Sequence, residues 1–333
     1  MPNADYQNFL QYSKFVQLKL DEAEEIVKLI CSLLNVKSCS DVQEFNIFEA
    51  GTGYGCISIP VMRALEKTKI KFKWYGIEKD DNKIKAFPEL YYKYNEDKII
   101  DYRNGTTNEY ERVHKDIFQS LSNRMKVLVK LPEHIKISKF DIEEINEYKN
   151  LTNLFTQTEI ISVLFIPFIF QHIYKWREFM KYILETFKFS KEFIIVSGEL
   201  EGDWEAFFSP WKATNANKWR NIFMKIWENS SNITTALRDY RYKNLDVFKD
   251  FLENQGFKME SIDVHLVEIK VKTSIDAIIE QFKFGTWSVV NENSDQKFKV
   301  GLIKLFTENE KKEKMDFRSF HRFDFIRVSR YES

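Results

Sequence analysis

The chain has few cysteines and few histidines, which argues against two common kinds of framework. Its three cysteines, Cys31, Cys39 and Cys56, are odd in number and show no C-x-x-C spacing. Neither a set of disulfides nor a structural zinc site is therefore expected. The five histidines are scattered and form no H-x-x-x-H pair, so no metal site is predicted.

The chain also lacks an excess of charge and a long apolar run. Fifty basic residues balance fifty acidic ones, whereas proteins that grip a nucleic-acid backbone usually carry net positive charge. Nucleic acid is thus disfavoured as a partner, although a local basic patch is compatible with a neutral total. The most apolar run, 160–170, is too short to span a bilayer, and no signal-peptide pattern is present. We expect a soluble, cytoplasmic protein without membrane contact, of undetermined oligomeric state.

Apolar residues, by contrast, are abundant and follow two different periods. Hydrophobic residues make up 44% of the chain, enough for a sizeable core. A helix is predicted from Asn8 to Leu34, where apolar residues recur three and four positions apart. Beyond Gln43, short strands alternate with helices, which favours an α/β fold with a parallel sheet covered on both faces.

The pattern predicts an N-terminal helical cap, 1–42, followed by one main domain, 43–330. Strands are predicted at 45–49, 72–78, 135–140, 160–166, 193–197, 264–271 and 323–328. Helices are predicted at 57–65, 176–187 and 245–255. Insertions are predicted near 88–130, 204–244 and 274–315, the first including one helix and the last mostly helical.

Three of the ten glycines lie in one short loop between a predicted strand and a predicted helix. The loop is Glu49-Ala50-Gly51-Thr52-Gly53-Tyr54-Gly55. Glycines there permit positive φ and a close approach of the backbone to a ligand. A dinucleotide fingerprint, G-x-G-x-x-G, would require its third glycine at Cys56. A phosphate-binding P-loop is excluded because no Gly-Lys-Ser/Thr follows.

This loop resembles motif I of the class I S-adenosylmethionine-dependent methyltransferases, an acidic residue followed by G-x-G-x-G. The resemblance extends over roughly residues 43–330. It implies a Rossmann-like seven-stranded, mostly parallel sheet with helices on both faces and an antiparallel final strand. It also implies S-adenosylmethionine as the cofactor, with the glycine loop against its methionine part.

The same resemblance assigns cofactor-binding roles in chain order. It implies that Glu49 helps orient the methionine part and that Glu78 accepts hydrogen bonds from both ribose hydroxyls. It further implies that Asp141 accepts from the adenine amino group. The implied cofactor-binding residues are Glu49, Gly51, Thr52, Gly53, Gly55, Glu78, Phe140, Asp141, Ile142, Ile166 and Gln171. Ser162 stands where many family members carry Asp.

Each of these residues also has a purely structural interpretation. The three glycines could serve only a tight turn, and Glu78 could be a surface carboxylate at a strand end. Asp141 could be an ordinary N-cap. His172, the candidate catalytic base, could be a packed structural histidine.

The acceptor of the methyl group is predicted to be a small organic molecule. Candidate substrate-binding residues are aromatic and lie in the N-terminal segment and the insertions: Tyr12, Trp204, Trp211 and Trp287. Three alternatives stay open. They are an RNA- or protein-directed methyltransferase, a non-catalytic S-adenosylmethionine-binding protein and, disfavoured by Cys56, a dinucleotide oxidoreductase.

Overall fold

The computed structural model describes residues 17–35, 44–68, 70–93, 129–144, 148–151, 159–167, 175–198, 235–273 and 315–331. In chain order the strands are β1 (Phe45–Ala50), β2 (Phe72–Glu78), β3 (Ile135–Lys139), β4 (Ile160–Ile166), β5 (Lys188–Gly198), β6 (Phe257–Thr273) and β7 (Met315–Arg330). The helices are α1 (Leu20–Leu33), α2 (Ser58–Thr68), α3 (Asp81–Lys93), α4 (Tyr148–Leu151), α5 (Trp176–Thr186) and α6 (Thr235–Asn254).

All seven strands form one sheet in the order β3-β2-β1-β4-β5-β7-β6. The first five are parallel, and β7 runs antiparallel to both β5 and β6. The predicted seven-stranded, mostly parallel architecture is therefore confirmed. Because the chain proceeds outward from β1 in both directions, the carboxyl end of β1 is a topological switch point, where open α/β sheets bind their ligands.

Alternate residues of each buried strand face the helices α5 and α6. Phe179 and Ile183 of α5 pack with Leu252 of α6 against Phe193 and Ile195 of β5. The buried residues of α1 and α2 do not belong to this core cluster. The helices α1 and α2 contact each other instead. Side chains of the strands alternate between faces, so α1 and α2 lie on the opposite face.

Three helices, α1, α3 and α6, begin several residues away from where the sequence pattern predicted. Gln17 to Lys19 are not helical; α1 starts at Leu20, where Glu22 accepts a 2.7 Å hydrogen bond from the Lys19 N–H and caps the helix. Helix α3 begins at Asp81 and includes Pro88, where an insertion was predicted to start. Helix α6 begins at Thr235, within the insertion predicted at 204–244.

The last three strands are longer than predicted because ladder pairing continues through their polar residues. Strand β6 pairs with β7 from Phe257–Arg330 to Thr273–Met315, so both exceed the apolar patterns that predicted them. Strand β5 starts at Lys188 rather than Phe193, alongside Ile160 of β4. Within the described residues, none of the helices is both long enough and apolar enough to cross a membrane.

Candidate functional site

The glycine loop connects the carboxyl end of β1 to α2 and is tied to the neighbouring strand. The backbone N–H groups of Gly51 and Thr52 both donate to the carbonyl of Ile77 in β2, at 2.9 and 3.1 Å. Gly51, Gly53 and Gly55 have φ values of 75°, 59° and 77°. These left-handed conformations disfavour side chains, so the glycines are required by the course of the loop.

The last two glycines of the loop have opposite surroundings. A Cβ at Gly55 would lie 2.6 Å from side-chain atoms of Ile59 and Phe87, so this glycine allows the loop to pack on α2 and α3. Among the described residues, a Cβ at Gly53 would meet nothing closer than the Gly51 carbonyl oxygen at 4.0 Å. Within this part of the chain, Gly53 thus has space beside it through which a ligand can approach the backbone.

Glu49 lies beneath the loop, on the side of α2. Only 2% of it is exposed, and its carboxylate accepts hydrogen bonds from Ser58 Oγ at 2.6 Å and Trp74 Nε1 at 2.9 Å. Burial raises the pKa of Glu49 to about 7, although hydrogen bonds from Ser58, Trp74 and Thr52 oppose the shift. Glu49 therefore joins β1, β2 and the first turn of α2 around the loop.

Space for this arrangement comes from Gly76 in β2. Gly76 pairs directly with Glu49 across the sheet. A Cβ on it would lie 2.4 Å from Thr52 Oγ1, whereas Thr52 in fact fills that space and donates to the Ile77 carbonyl at 3.4 Å. The conformation of the loop thus depends on a glycine at position 76 of β2.

Glu78 ends β2 beside the open side of the loop. One carboxylate oxygen, Oε2, accepts a 2.9 Å hydrogen bond from the Gly53 N–H, and the other accepts from the Asp80 N–H at 3.0 Å. Glu78 is 6% exposed. A carboxylate has about four lone-pair sites, so each oxygen retains capacity for one further donor.

The segment after β3 lies next to Glu78. The Phe140 N–H donates to the Glu78 carbonyl at 2.9 Å, while the Phe140 ring is buried and packs 5.9 Å from the ring of Tyr148. Asp141 accepts from the Glu143 N–H at 3.0 Å, as an N-cap or Asx turn does. Ile142 is buried, and its carbonyl accepts from Tyr148.

The structure brings together the predicted residues at the ends of β1, β2 and β3. Ile166 ends β4, which pairs with β1 on the side opposite β2. The remaining predicted residues lie outside the described part of the chain: Tyr12, Gln171, His172, Trp204, Trp211 and Trp287. Their roles stay predictions.

Sequence reasoning missed the two side chains that hold Glu49. Ser58 is the first residue of α2, nine positions after Glu49, and its place at a helix start is a usable signal. Trp74 offers no such signal, because its indole reaches Glu49 from the neighbouring strand. Cys56, which takes the third-glycine position of a dinucleotide fingerprint, is buried, and burial raises the pKa of its thiol to about 12.

Comparison with known proteins finds similar solved structures but no matching family or curated protein. Neither a protein-family model nor a curated protein matches the chain. Similar solved structures include a putative methyltransferase from Bacillus halodurans C-125, at 11% identity and a TM-score of 0.42, which covers 90% of this chain and 97% of that one. A putative type II methyltransferase from Anaeromyxobacter dehalogenans has 10% identity and a TM-score of 0.44, with 91% and 95% covered.

A putative sarcosine dimethylglycine methyltransferase from Galdieria sulphuraria is similar at 10% identity and a TM-score of 0.40, covering 91% of this chain and 85% of that one. Likeness at these identities and TM-scores carries no inference about activity.

Proposed function

We propose that this chain binds S-adenosylmethionine at the glycine loop and transfers its methyl group to a small organic acceptor. The observation that carries the proposal is the pairing of Gly53, open to solvent above the loop, with Glu78 at the end of the adjacent strand. A ligand that lies on the loop backbone and presents two neighbouring hydroxyls to Glu78 suits this pair.

The residues present fit such a cofactor in shape and in charge. Apart from the Gly51 carbonyl oxygen, no atom of the residues that the structure describes lies within 4 Å of a Cβ at Gly53. Both oxygens of Glu78 retain acceptor capacity for ribose hydroxyls. The N-terminus of α2 follows the loop, and the positive end of the helix dipole there favours an anionic group such as a carboxylate.

A dinucleotide is a poorer fit to the same loop. The fingerprint for dinucleotides places its third glycine one residue later, at Cys56, whereas the left-handed residue here is Gly55, with φ of 77°. The Cys56 side chain is buried. The spacing of the glycines in the loop therefore supports S-adenosylmethionine over NAD.

Each residue of the site then has a defined task. The loop backbone and Glu78 hold the cofactor, which supplies an already activated methyl group when bound. Glu49 does not need to touch it, because its hydrogen bonds to Ser58 and Trp74 hold the loop in position from beneath. Alignment of the acceptor and exclusion of water are the remaining requirements.

A small acceptor is supported by the charge balance of the chain. Fifty basic and fifty acidic residues offer no net attraction for a nucleic-acid backbone. His172 as a base, and the aromatic wall of Tyr12, Trp204, Trp211 and Trp287, belong to this proposal as predictions from sequence.

The substitution Gly53→Arg tests the cofactor site, with Gly256→Arg as a matched control. Both glycines have left-handed φ, 59° and 80°, and a Cβ at Gly256, at the end of α6, would have no atom of the described part of the chain within 4 Å. Each variant should lose about 1–2 kcal/mol of stability to backbone strain. Isothermal titration calorimetry should detect S-adenosylhomocysteine binding to wild type and Gly256→Arg and none to Gly53→Arg.

Retention of wild-type affinity in a folded Gly53→Arg protein would refute the assigned site. Loss of binding in both variants would instead attribute the effect to stability, and the thermal melting temperatures measured beside the titrations separate these two results.

A further inference from the structure

One row of side chains across the sheet contains two polar residues, Ser197 and Asp324, between apolar ones. Ile166 of β4 pairs with Ser197 of β5, which pairs with Asp324 of β7, which in turn pairs with Val264 of β6. Residues directly opposite each other in neighbouring strands point to the same face. These four side chains therefore form one row across the sheet, on the face of α5 and α6.

Ser197 is the exceptional member of this row. It continues the line of Phe193 and Ile195, both in the core, and is itself 0% exposed. Its Oγ has no hydrogen-bond partner among the described residues. A buried hydroxyl without a partner costs about 1–3 kcal/mol of free energy, so native proteins retain one where a ligand or an ordered water completes it.

The neighbour of Ser197 is a buried ion pair. Asp324 is 0% exposed, and its Oδ1 accepts a 2.8 Å hydrogen bond from Nε of Arg322, whose side chain is 14% exposed. Arg322 is two residues from Asp324 along β7 and hence on the same face. The Asp324 carboxylate, whose charge the Arg322 guanidinium balances, therefore lies directly beside the Ser197 hydroxyl.

Two exposed apolar side chains border the polar group. Val264 pairs with Asp324 and Leu266 with Arg322, so both share the face of the ion pair. They are 48% and 50% exposed. A ligand at Ser197 and Asp324 would therefore have an apolar surface on one side for its remaining atoms.

This group lies at the edge of the sheet where the glycine loop begins. Strands β4 and β5 separate β1 from β7, and three strand spacings amount to about 14 Å. Ser197 lies two of these spacings from β1 and Asp324 three, so both are within reach of a ligand that extends from the glycine loop along this edge.

We propose that Ser197 and Asp324, with Arg322 as the partner that orients Asp324, bind the polar head of the methyl acceptor, a small amphipathic molecule with a hydroxyl or an amine. The inference rests on the proposed function and deepens it. Asp324 accepts the hydrogen bond from the head group, and Ser197 donates or accepts a second one. The apolar body of the acceptor lies on Val264 and Leu266.

The charges set the class of head group. A carboxylate or phosphate would meet the negative charge of Asp324 at close range, and such like-charge contacts weaken binding. A hydroxyl or amine instead supplies the donor that a carboxylate accepts. Because Arg322 already balances Asp324, the head group does not have to be a cation.

The test uses ligand-observed NMR titrations of the full chain saturated with S-adenosylhomocysteine. The probes are benzyl alcohol and benzylamine, compared with toluene, which lacks the donor, and benzoate, which is an anion of similar size. Wild type should bind the first two in preference to the last two. Ser197→Ala should bind benzyl alcohol about tenfold more weakly, the effect of one lost hydrogen bond in a buried site.

Ser190→Ala is the matched control on the same strand. Ser190 Oγ is hydrogen bonded, to the Ile161 carbonyl at 3.3 Å and with Ser162 Oγ at 3.2 Å. Ser190→Ala should leave the affinity for benzyl alcohol unchanged but lower the melting temperature. Ser197→Ala should weaken the binding of benzyl alcohol without lowering the melting temperature, because its hydroxyl has no partner among the described residues to lose.

Asp324→Asn supplies a second variant that keeps the shape of the side chain. It should weaken benzyl alcohol and relieve the rejection of benzoate, with S-adenosylhomocysteine affinity unchanged. Probe affinity that is unchanged in Ser197→Ala, or equal for toluene and benzyl alcohol, or absent for all probes, overturns the subsite alone if S-adenosylhomocysteine still binds. Failure of wild type to bind S-adenosylhomocysteine overturns the proposed function itself.

Discussion

Glu49 combines nearly complete burial with a group that ionises. Its carboxyl is 2% exposed and holds hydrogen bonds from Ser58 and Trp74. Desolvation raises the pKa of Glu49 from 4.5 to about 7 and exceeds the opposing effect of those donors. Near neutral pH the residue is therefore divided between a neutral acid and a carboxylate, both held by the same neighbours.

This shift makes folding stability depend on pH in a defined direction. The folded state binds the Glu49 proton more tightly than the unfolded state, so the contribution is fully present below pH 4.5 and is lost as the pH rises to about 7. A shift of this size corresponds to roughly 3 kcal/mol. Net stability from Glu49 thus falls with rising pH over that window.

Glu49→Gln removes the titration while keeping the shape of the side chain. The free energy of unfolding of wild type, measured in urea across this window, should fall relative to that of the variant by about 3 kcal/mol as the pH rises. The variant also loses one acceptor, which lowers its stability by a roughly constant amount at every pH. Parallel curves for the two proteins would contradict the raised pKa of Glu49.

At the scale of elements, the site is a junction of β1, α2 and β2. The loop donates to the Ile77 carbonyl through two N–H groups and to Glu78 through a third, that of Gly53. Glu78 therefore has two tasks. It fixes the middle of the loop, and in the proposed function its remaining lone pairs accept hydrogen bonds from the cofactor.

Glu78→Ala should impair both tasks. Without the carboxylate, the N–H groups of Gly53 and Asp80 lose their acceptor, and we expect a loss of about 1–3 kcal/mol in the free energy of unfolding. Calorimetry should show S-adenosylhomocysteine affinity reduced at least about tenfold, because the ribose hydroxyls lose a charged acceptor.

Asp81→Ala is the control for this change. Asp81 is a nearby carboxylate whose side chain is 55% exposed and forms an ion pair with Lys139 at 2.6 Å, and exposed pairs of this kind contribute little. Its removal should alter neither property measurably. Equal affinity in Glu78→Ala and Asp81→Ala would exclude Glu78 from the cofactor site.

The sequence predicted these elements where apolar residues and glycines alone determine them. Strands β2 and β4 have the predicted bounds because most of their residues are apolar and buried. The sequence pattern did not predict the start of α6 or the full length of β6. Polar residues there are helical, or paired with β7, because of contacts with distant segments of the chain.

Prediction of the site was limited in the same way. Glu49 was correctly located at the end of β1, but the direction of its side chain depends on strand alternation and on Trp74 of another strand. The need for Gly76 likewise arises from Thr52, which is adjacent only in the folded sheet. Contacts between distant segments are the part that local patterns do not contain.

At the scale of the whole molecule, two features of the sheet meet at one edge. The switch point at β1 places the glycine loop at the carboxyl edge of the parallel strands. Strand β5 pairs with β7 only from Phe323 to Ser329, whereas β6 pairs with β7 as far as Met315. The paired strands β6 and β7 therefore extend beyond the carboxyl end of β5, on the same side as the loop.

The central claim is that the loop of Gly51, Gly53 and Gly55 binds S-adenosylmethionine. Isothermal titration calorimetry of the full wild-type chain with S-adenosylhomocysteine, and separately with NAD, tests it most directly. We expect saturable binding of one S-adenosylhomocysteine per chain and no binding of NAD. Binding of NAD without binding of S-adenosylhomocysteine, or binding of neither, would contradict it.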